Sequence, residues 1–378
     1  MRWRISLVVT QPTASSPQKA VVIGGAGFLG QRLVACLLGD VPDAPAGWPR
    51  FETVHVFDTA PFAPRQPPSD SARVTSSVGD IRKREDLRKA LAGAHTVFHL
   101  ASIVDVGLTK NPLIDAVNVE GTRNVVEVAQ ELGVPFLVYT SSEDVVLDTQ
   151  GVTNGDEGIP YPTVIVHDYV RTKIAGEKIV RAANGQRGLH TCCIRPVHIY
   201  GPHDPHAIKI SITEIARGKL PFLMGDGSAR FDVVYVDNVV HGHLLAAARL
   251  HDTATRGTVG GEAFFVGEGN APNYFEFIRP YAASRGIAMP KWRMPYGPLS
   301  VVARGMELVH HVLGVDVPFH RFHLYILCRD FFFTNAKAER ELGYRPWVTP
   351  EEAQARTLAW IKDEPLDLPP KRAQRQHA

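Results

Sequence analysis

The stretch "VVIGGAGFLG", residues 21–30, constrains this chain more than any other. A run of apolar strand formers ends in Gly24, Gly25, Gly27 and Gly30, and "FLGQRLVACLLG" follows with helical apolar spacing. Such a strand, turn and helix let the backbone turn tightly and approach a pyrophosphate. The helix start adds unpaired N–H groups and the positive end of its dipole. A plain tight turn would also use glycines, but a second strand, "TVHVFD", ends here on Asp58, the acid expected to bind the adenosine ribose hydroxyls and to repel a 2′-phosphate. NAD is therefore favoured over NADP. Asp58 lies further from the glycines than the usual interval of about 20 residues, and the Pro-rich stretch "DVPDAPAGWPR" accounts for the excess as a surface insertion.

From Ala20 onward, apolar runs such as "HTVFHLAS" and "PFLVYTSS" alternate with helical patterns such as "REDLRKALAG" and "TRNVVEVAQELG". This alternation is the signature of βαβ units and predicts a Rossmann-type doubly wound parallel sheet of roughly six strands, an α/β fold. The expected organisation is a flexible leader over residues 1–19 and an NAD-binding Rossmann domain over 20–201. A smaller C-terminal substrate-binding lobe follows over 202–363, with some segments returning to the first domain. The tail over 364–378, Pro-rich and then basic, has too little apolar surface to order itself. Within the lobe, "FDVVYVDNVVHGHLLAAARL" and "EAFFVGEG" read as strand-like.

With 41 basic against 39 acidic residues, the chain has no field strong enough to make nucleic acid its main partner. Cys36, Cys192, Cys193 and Cys328 lack metal-site spacing and read as reduced core residues. No run reaches the roughly 18 apolar residues of a membrane span, so a soluble, cytoplasmic protein is expected. The nearest candidate, "GPLSVVARGMELVHHVLGVDVPF", is broken by Arg304, Glu307, His310 and His311, and reads as an amphipathic helix. A pocket lid is favoured for it over a membrane surface. His203, Asp204 and His206 suggest metal ligands at first sight, but no third strong ligand has matching spacing, and no metal is expected.

In "HDYVRTKIAGEK", Tyr169 and Lys173 stand four residues apart and so share one helix face. A phenol with pKa near about 10 is a poor base, but an ammonium and a cationic nicotinamide beside it favour the phenolate. "PFLVYTSSED" brings Ser141 or Ser142 to the carboxyl end of a parallel strand, where either could hold a substrate oxygen. Taken alone, the serines suit a turn or N-cap and the Tyr–Lys pair suits any surface helix. Their weight comes from following, in order, the glycine turn and the acid-ended strand.

With the further blocks "GDIRKREDLRKAL", "NVEGTRNVVEVAQELGV", "IRPVHIYGP" and "FFFTNAKAERELGYRPWVTPEEA", the sequence resembles an extended short-chain dehydrogenase/reductase. More narrowly it resembles the 3β-hydroxysteroid dehydrogenase family, over roughly residues 20–363. The resemblance implies Tyr169 as catalytic base and Lys173 as its charge partner and ribose contact. It implies Ser142 as the substrate-oxygen donor, with Ser141 in reserve and Glu143 beside the substrate. For the cofactor it implies Gly24, Gly27, Phe28, Leu29, Gly30 and Asp58, with Asp80 and Ile81 flanking the adenine. Leu100, Ala101 and Ser102 border the cofactor, Asn118 supports the polar network, and Pro196 and Val197 lie beside the nicotinamide carboxamide.

The implied activity is NAD-dependent oxidation of a 3β-hydroxysteroid to the 3-ketosteroid. A Δ5-to-Δ4 isomerisation would need a further acid/base, for which Glu143 and Asp144 are candidates. The alternatives are a decarboxylating 4-carboxysterol 3-dehydrogenase, a nucleotide-sugar epimerase or reductase, and a non-catalytic NAD-binding redox sensor. The intact serine, tyrosine and lysine argue against the last. Family analogy also implies a homodimer and leaves room for peripheral membrane contact. One departure stands out: Glu143 and Asp144 occupy positions where many relatives carry small residues, which makes the pocket mouth more acidic.

Overall fold

In a computed structural model of the chain, residues 18–366 are described, so most of the expected leader and the tail beyond Leu366 lie outside them. Among these residues the central sheet has seven parallel strands. They are β1 (Lys19–Ile23), β2 (Thr53–Asp58), β3 (Val74–Val78), β4 (Ala94–His99), β5 (Phe136–Thr140), β6 (His190–Pro196) and β7 (Ala263–Val266). Their order is β7-β6-β5-β4-β1-β2-β3, so the winding reverses between β1 and β4, where a crevice opens at the carboxyl ends of the strands. Ala20, Val21 and Val22 have no exposed surface, as parallel strands covered on both faces require.

The crossover helices are α1 (Phe28–Leu38), α2 (Arg84–Leu91), α3 (Thr122–Glu131) and α4 (Asp168–Ala182). One face of the sheet packs on α1 and on α5 (Val236–His251), through Leu33, Val34, Val239 and Leu244. The other packs on α2, α3 and α4, through Leu87, Val125 and Val180.

Two features of the C-terminal half differ from the sequence expectation. "FDVVYVDNVVHGHLLAAARL" forms only a short strand, Val233–Tyr235, before α5 begins. Val236, Val239, Val240, Leu244 and Ala247 recur at helical spacing, and burial against the sheet overrides the β-branched preference for strand. "EAFFVGEG" does form a strand, but that strand is β7, which joins the central sheet with Phe264 opposite Ile194 of β6.

Helices Ile208–Ala216, Tyr274–Ser284 and Arg321–Leu327 close over the crevice. Ahead of the first of them, the Asp204 carboxylate accepts backbone N–H groups from His206 at 2.8 Å and Ile208 at 3.0 Å, a helix-start arrangement. The amphipathic segment forms α6 (Tyr296–Leu313), and the helix itself lines no part of the crevice, contrary to the expected lid, although Pro318 beyond its end does. Its two buried residues, Leu299 and Ala303, pack on a layer of Leu223, Met224, Phe319 and Leu324 that separates α6 from the crevice. Val301, Leu308, Val312 and Leu313 on the other side are exposed. No helix among the described residues is long and apolar enough to cross a membrane.

Candidate active site

The crevice holds a cavity of about 1010 Å³ whose wall begins at the glycine turn. Gly24 adopts φ +86°, and a Cβ there would lie 2.7 Å from the backbone nitrogen of Ala101. A Cβ on Gly30 would run into the Gly24 carbonyl oxygen. These clashes explain why the chain uses glycine at both positions. The first turn of α1 carries neither a side-chain cap nor an acidic residue, so its N-terminal N–H groups are available to an anion. Asp58 is fixed beside the turn, accepting the Ala26 N–H at 3.0 Å and the Ala60 N–H at 3.1 Å. A carboxylate so held still has lone pairs for two hydroxyls.

Phe28, Leu29, Asp80, Ile81, Leu100, Ala101, Ser102, Pro196 and Val197 all line the cavity. Asp80 pairs with Arg82 at 2.9 Å, which holds its carboxyl below the usual range. Leu100 and Ala101 both donate to the Ile23 carbonyl, at 2.9 and 3.1 Å, tying the end of β4 to that of β1. Asn118 is the exception, since it does not face the cavity. It sits in a π-helical turn, Ala116–Gly121, with its amide oxygen on the Ile103 N–H at 2.8 Å. Its amide nitrogen donates to the Ile103 carbonyl at 2.9 Å and to Thr172 at 3.1 Å. With both ends of the amide taken by protein, it clamps the loop after β4 to α4 from behind the wall.

Ser142, Tyr169 and Lys173 meet at the cavity. His167 caps α4, its Nδ1 accepting the Tyr169 N–H at 3.2 Å while its Nε2 bonds the Gly107 carbonyl at 2.9 Å. This fixes where Tyr169 enters the site. Tyr169 is buried, and burial, then the charge of Asp144, pushes its phenol upward, while a hydrogen bond with Ser142 opposes the shift. Lys173 is 2% exposed, donates to the Thr140 carbonyl at 2.7 Å and lies 4.7 Å from the centre of the Tyr139 ring. Burial brings it down to about 8.

The two serines separate clearly. Both line the cavity, but Ser141 donates to Glu177 at 2.5 Å, whereas Ser142 donates to Asp144 at 3.1 Å. Glu143 and Asp144 both line the cavity, and burial raises both carboxyls above their ordinary range.

Sequence reasoning missed the support beneath this cluster. Glu177 of α4 takes two bonds from Arg195 of β6, at 2.6 and 3.0 Å, one from the Tyr161 hydroxyl at 2.7 Å, and the Ser141 bond. Both residues stand inside quoted blocks, but their pairing joins segments that are adjacent only in the fold. The apolar walls supplied by Phe231, Phe275, Ile278, Phe322 and Ile326 were likewise beyond local pattern.

The sheet order, the glycine turn and a Tyr–Lys helix at one cavity are the layout of an extended short-chain dehydrogenase/reductase. Within that class, the profile of the 3-beta hydroxysteroid dehydrogenase/isomerase family matches residues 21–296. The chain is 35% identical over 352 residues to a 3-beta-hydroxysteroid dehydrogenase of Mycolicibacterium neoaurum, covering 91% of this chain and 92% of that one. It is 34% identical over 349 residues to the decarboxylating sterol-4-alpha-carboxylate 3-dehydrogenase of mouse, covering 91% of each. Among solved structures, the dTDP-glucose 4,6-dehydratase DesIV of Streptomyces venezuelae, with NAD and TYD bound, superposes with a TM-score of 0.68 at 25% identity, covering 92% of this chain and 98% of that one. The chain belongs to the 3-beta hydroxysteroid dehydrogenase/isomerase family.

Proposed function

We propose that the chain oxidises the 3β-hydroxyl of a steroid or sterol to the 3-ketone with NAD as cofactor. The observation that carries this reading is the convergence of Ser142, Tyr169 and Lys173 on one cavity that also holds the glycine turn, Asp58, Pro196 and Val197. At about 1010 Å³ the cavity is at the upper end of the roughly 300–1,000 Å³ of small-molecule sites, which suits a dinucleotide together with a second, apolar ligand.

Gly24, Gly30 and the start of α1 hold the pyrophosphate, and Asp58 holds the adenosine ribose. When bound, NAD supplies the hydride acceptor and a positive ring charge. Ser142 fixes the substrate oxygen, and Tyr169 takes the hydroxyl proton as that oxygen becomes a carbonyl. The ammonium of Lys173, one turn along α4, favours the phenolate. Both serines donate to a carboxylate, but Arg195 holds Glu177 in its ionised form while burial raises the Asp144 carboxyl, which supports Ser142 as the serine in contact with substrate. Isomerisation, where it follows, would use Glu143 or Asp144, whose carboxyls burial raises above their ordinary range, Asp144 to about 6.

The other substrate classes find less support. In the C-terminal half, the cavity lysine Lys219 pairs with Glu214 at 3.0 Å, and burial lowers His198 and His323, so the described walls there offer a 4-carboxylate little positive charge. A nucleotide sugar would want phosphate-binding arginines, yet Arg217, Arg230 and Arg279 all lie off the cavity. The exposed apolar side of α6 supports peripheral contact with a membrane surface. Co-sedimentation with lipid vesicles tests that contact, and self-association without vesicle binding would assign the face to a second copy.

The function is tested by NADH formation at 340 nm with 3β-hydroxy-5-ene steroids, a 4-carboxysterol and UDP-sugars, in the wild type and in Tyr169→Phe. Steroid turnover lost in the variant is the expected result. NAD binding without turnover of any substrate would instead favour a non-catalytic sensor.

A further inference from the structure

The Ser142 hydroxyl has one proton to give and two lone-pair directions to offer. Its proton goes to Oδ2 of Asp144 at 3.1 Å, while the Asp144 backbone N–H donates back to it at 3.2 Å. Oε2 of Glu143 stands 3.5 Å from the same hydroxyl as a second acceptor. A serine committed in this way has no proton left for a ligand. A substrate alcohol has its own proton to give to Tyr169, whereas a ketone has only lone pairs and gains a second donor beside Tyr169 only when the Ser142 proton is released.

We propose that Asp144 is a positioning residue that decides whether Ser142 donates to the substrate oxygen. An ionised Asp144 keeps the Ser142 proton, and a protonated Asp144 donates to Ser142 and releases that proton to a ketone. This role rests on the reading of Ser142 and Tyr169 given above, and adds to it a residue that distinguishes the alcohol from the ketone. The step is only a relocation of protons along Asp144, Ser142 and the ligand oxygen. The titratable groups facing Asp144 are Glu143 from its own turn and Tyr169 and Lys173 from α4; Asp232 in turn faces Glu143. Burial holds the Asp144 carboxyl above the ordinary aspartate range, against the opposing pull of Ser142 and Lys173, so the exchange falls nearer neutral pH than an exposed aspartate would allow.

The test compares KM for a saturated 3-ketosteroid with NADH and KM for the matching alcohol with NAD, between about pH 5 and pH 8. The enzymes are the wild type, Asp144→Asn and Glu143→Gln. One net hydrogen bond is worth about 0.5–1.5 kcal/mol, so the wild-type ketone KM should rise about 2- to 12-fold with pH while the alcohol KM moves less. The side-chain amide introduced by Asp144→Asn donates to Ser142 permanently, so that variant should keep the low ketone KM across the range. An unchanged pH dependence in Asp144→Asn, an equal effect on the alcohol, or flattening by Glu143→Gln alone would overturn the proposal. Fluorescence titration with NADH shows that each variant keeps its cofactor site. If Tyr169→Phe retains turnover, the underlying reading fails. If Tyr169→Phe is inactive and Asp144→Asn behaves as wild type, only the present proposal fails.

Discussion

Replacing Glu177 by leucine should destabilise the protein far more than replacing Glu177 and Arg195 together. Arg195 is 2% exposed, and one of its terminal nitrogens already lacks a partner. Removing Glu177 strips the guanidinium of both its carboxylate bonds and leaves the Ser141 and Tyr161 hydroxyls without their acceptor. Breaking a buried pair from one side costs about 3–5 kcal/mol. An unfolding entropy of about 2.1 cal/mol/K per residue, over 378 residues, converts this to a fall in Tm of about 4–6 °C. The double variant Glu177→Leu/Arg195→Met exchanges the pair for apolar volume, a change that is often neutral or stabilising. Differential scanning calorimetry on the wild type, both single variants and the double variant closes the cycle. Burial raises the Glu177 carboxyl, but the hydrogen bonds and charge of Arg195 win and hold it below the ordinary range. Its stabilisation is therefore present in full above the ordinary glutamate value and is lost as pH falls through the depressed one. The deficit of Glu177→Leu should accordingly persist from neutral pH down into the carboxylate range and close only beneath it. A fall in Tm under about 1 °C, or a double variant as unstable as the two single variants combined, would refute the reasoning.

Asp58→Ala should weaken NADH binding in fluorescence titration and narrow any preference over NADPH. Apart from the ribose contact, it leaves the part-buried Ala26 N–H and the exposed Ala60 N–H without their acceptor, which water replaces at least at Ala60, so the loss of stability should be small. Gly30→Ala should abolish cofactor binding, because its Cβ meets backbone, whereas Gly27→Ala, with its nearest contact 3.3 Å away, should retain most of it. Lys173→Met should lose turnover and also change the pH dependence of stability. Burial brings Lys173 from 10.5 to about 8, so between those values the unfolded chain holds the extra proton and wild-type stability rises with pH. Thermal scans of the variant should show that rise flattened.

Features of the site encoded within a few neighbouring residues were legible in the sequence. The glycine turn, Asp58 at a strand end, the serine pair after β5, and Tyr169 with Lys173 on one helix face are each set by local spacing, while the choice of Ser142 over Ser141 came from the family resemblance. The strand and helix alternation likewise gave the doubly wound sheet through β6. Non-local burial is where the reading fell short. β7 lies beyond residue 201 yet completes the sheet, because Phe264 and its neighbours find a partner only in β6. The valines of α5 look strand-forming until the sheet buries their helical face. Asn118, which the resemblance placed in the polar network of the site, bonds Ser102, Ile103 and Thr172 from a π-helical turn behind the cavity wall, a set of partners that no local pattern shows. Asp144 was visible as an unusual acid, while its hold on Ser142 depended on the tight turn Glu143–Val146 that places both side chains together.

The shifts at the site share one leading cause and one direction. Burial comes first for Tyr169, which it pushes up, for Lys173, which it brings down, and for Glu143 and Asp144, which it raises. Each is driven toward its neutral form, so the apolar walls also disfavour the phenolate and ammonium pair that the proposed oxidation requires. Lys173 alone does not restore that pair, since its own charge is weakened by the same burial. A positive charge brought into the cavity would favour the anions of Tyr169 and the two carboxyls, while opposing the ammonium of Lys173. The oxidised cofactor carries such a charge on its ring and the reduced cofactor does not. The protonation of Tyr169 therefore follows the redox state of the cofactor beside it. Under the proposed function, Tyr169 would accept the alcohol proton with NAD bound and, with NADH bound, would hold it for return to a ketone.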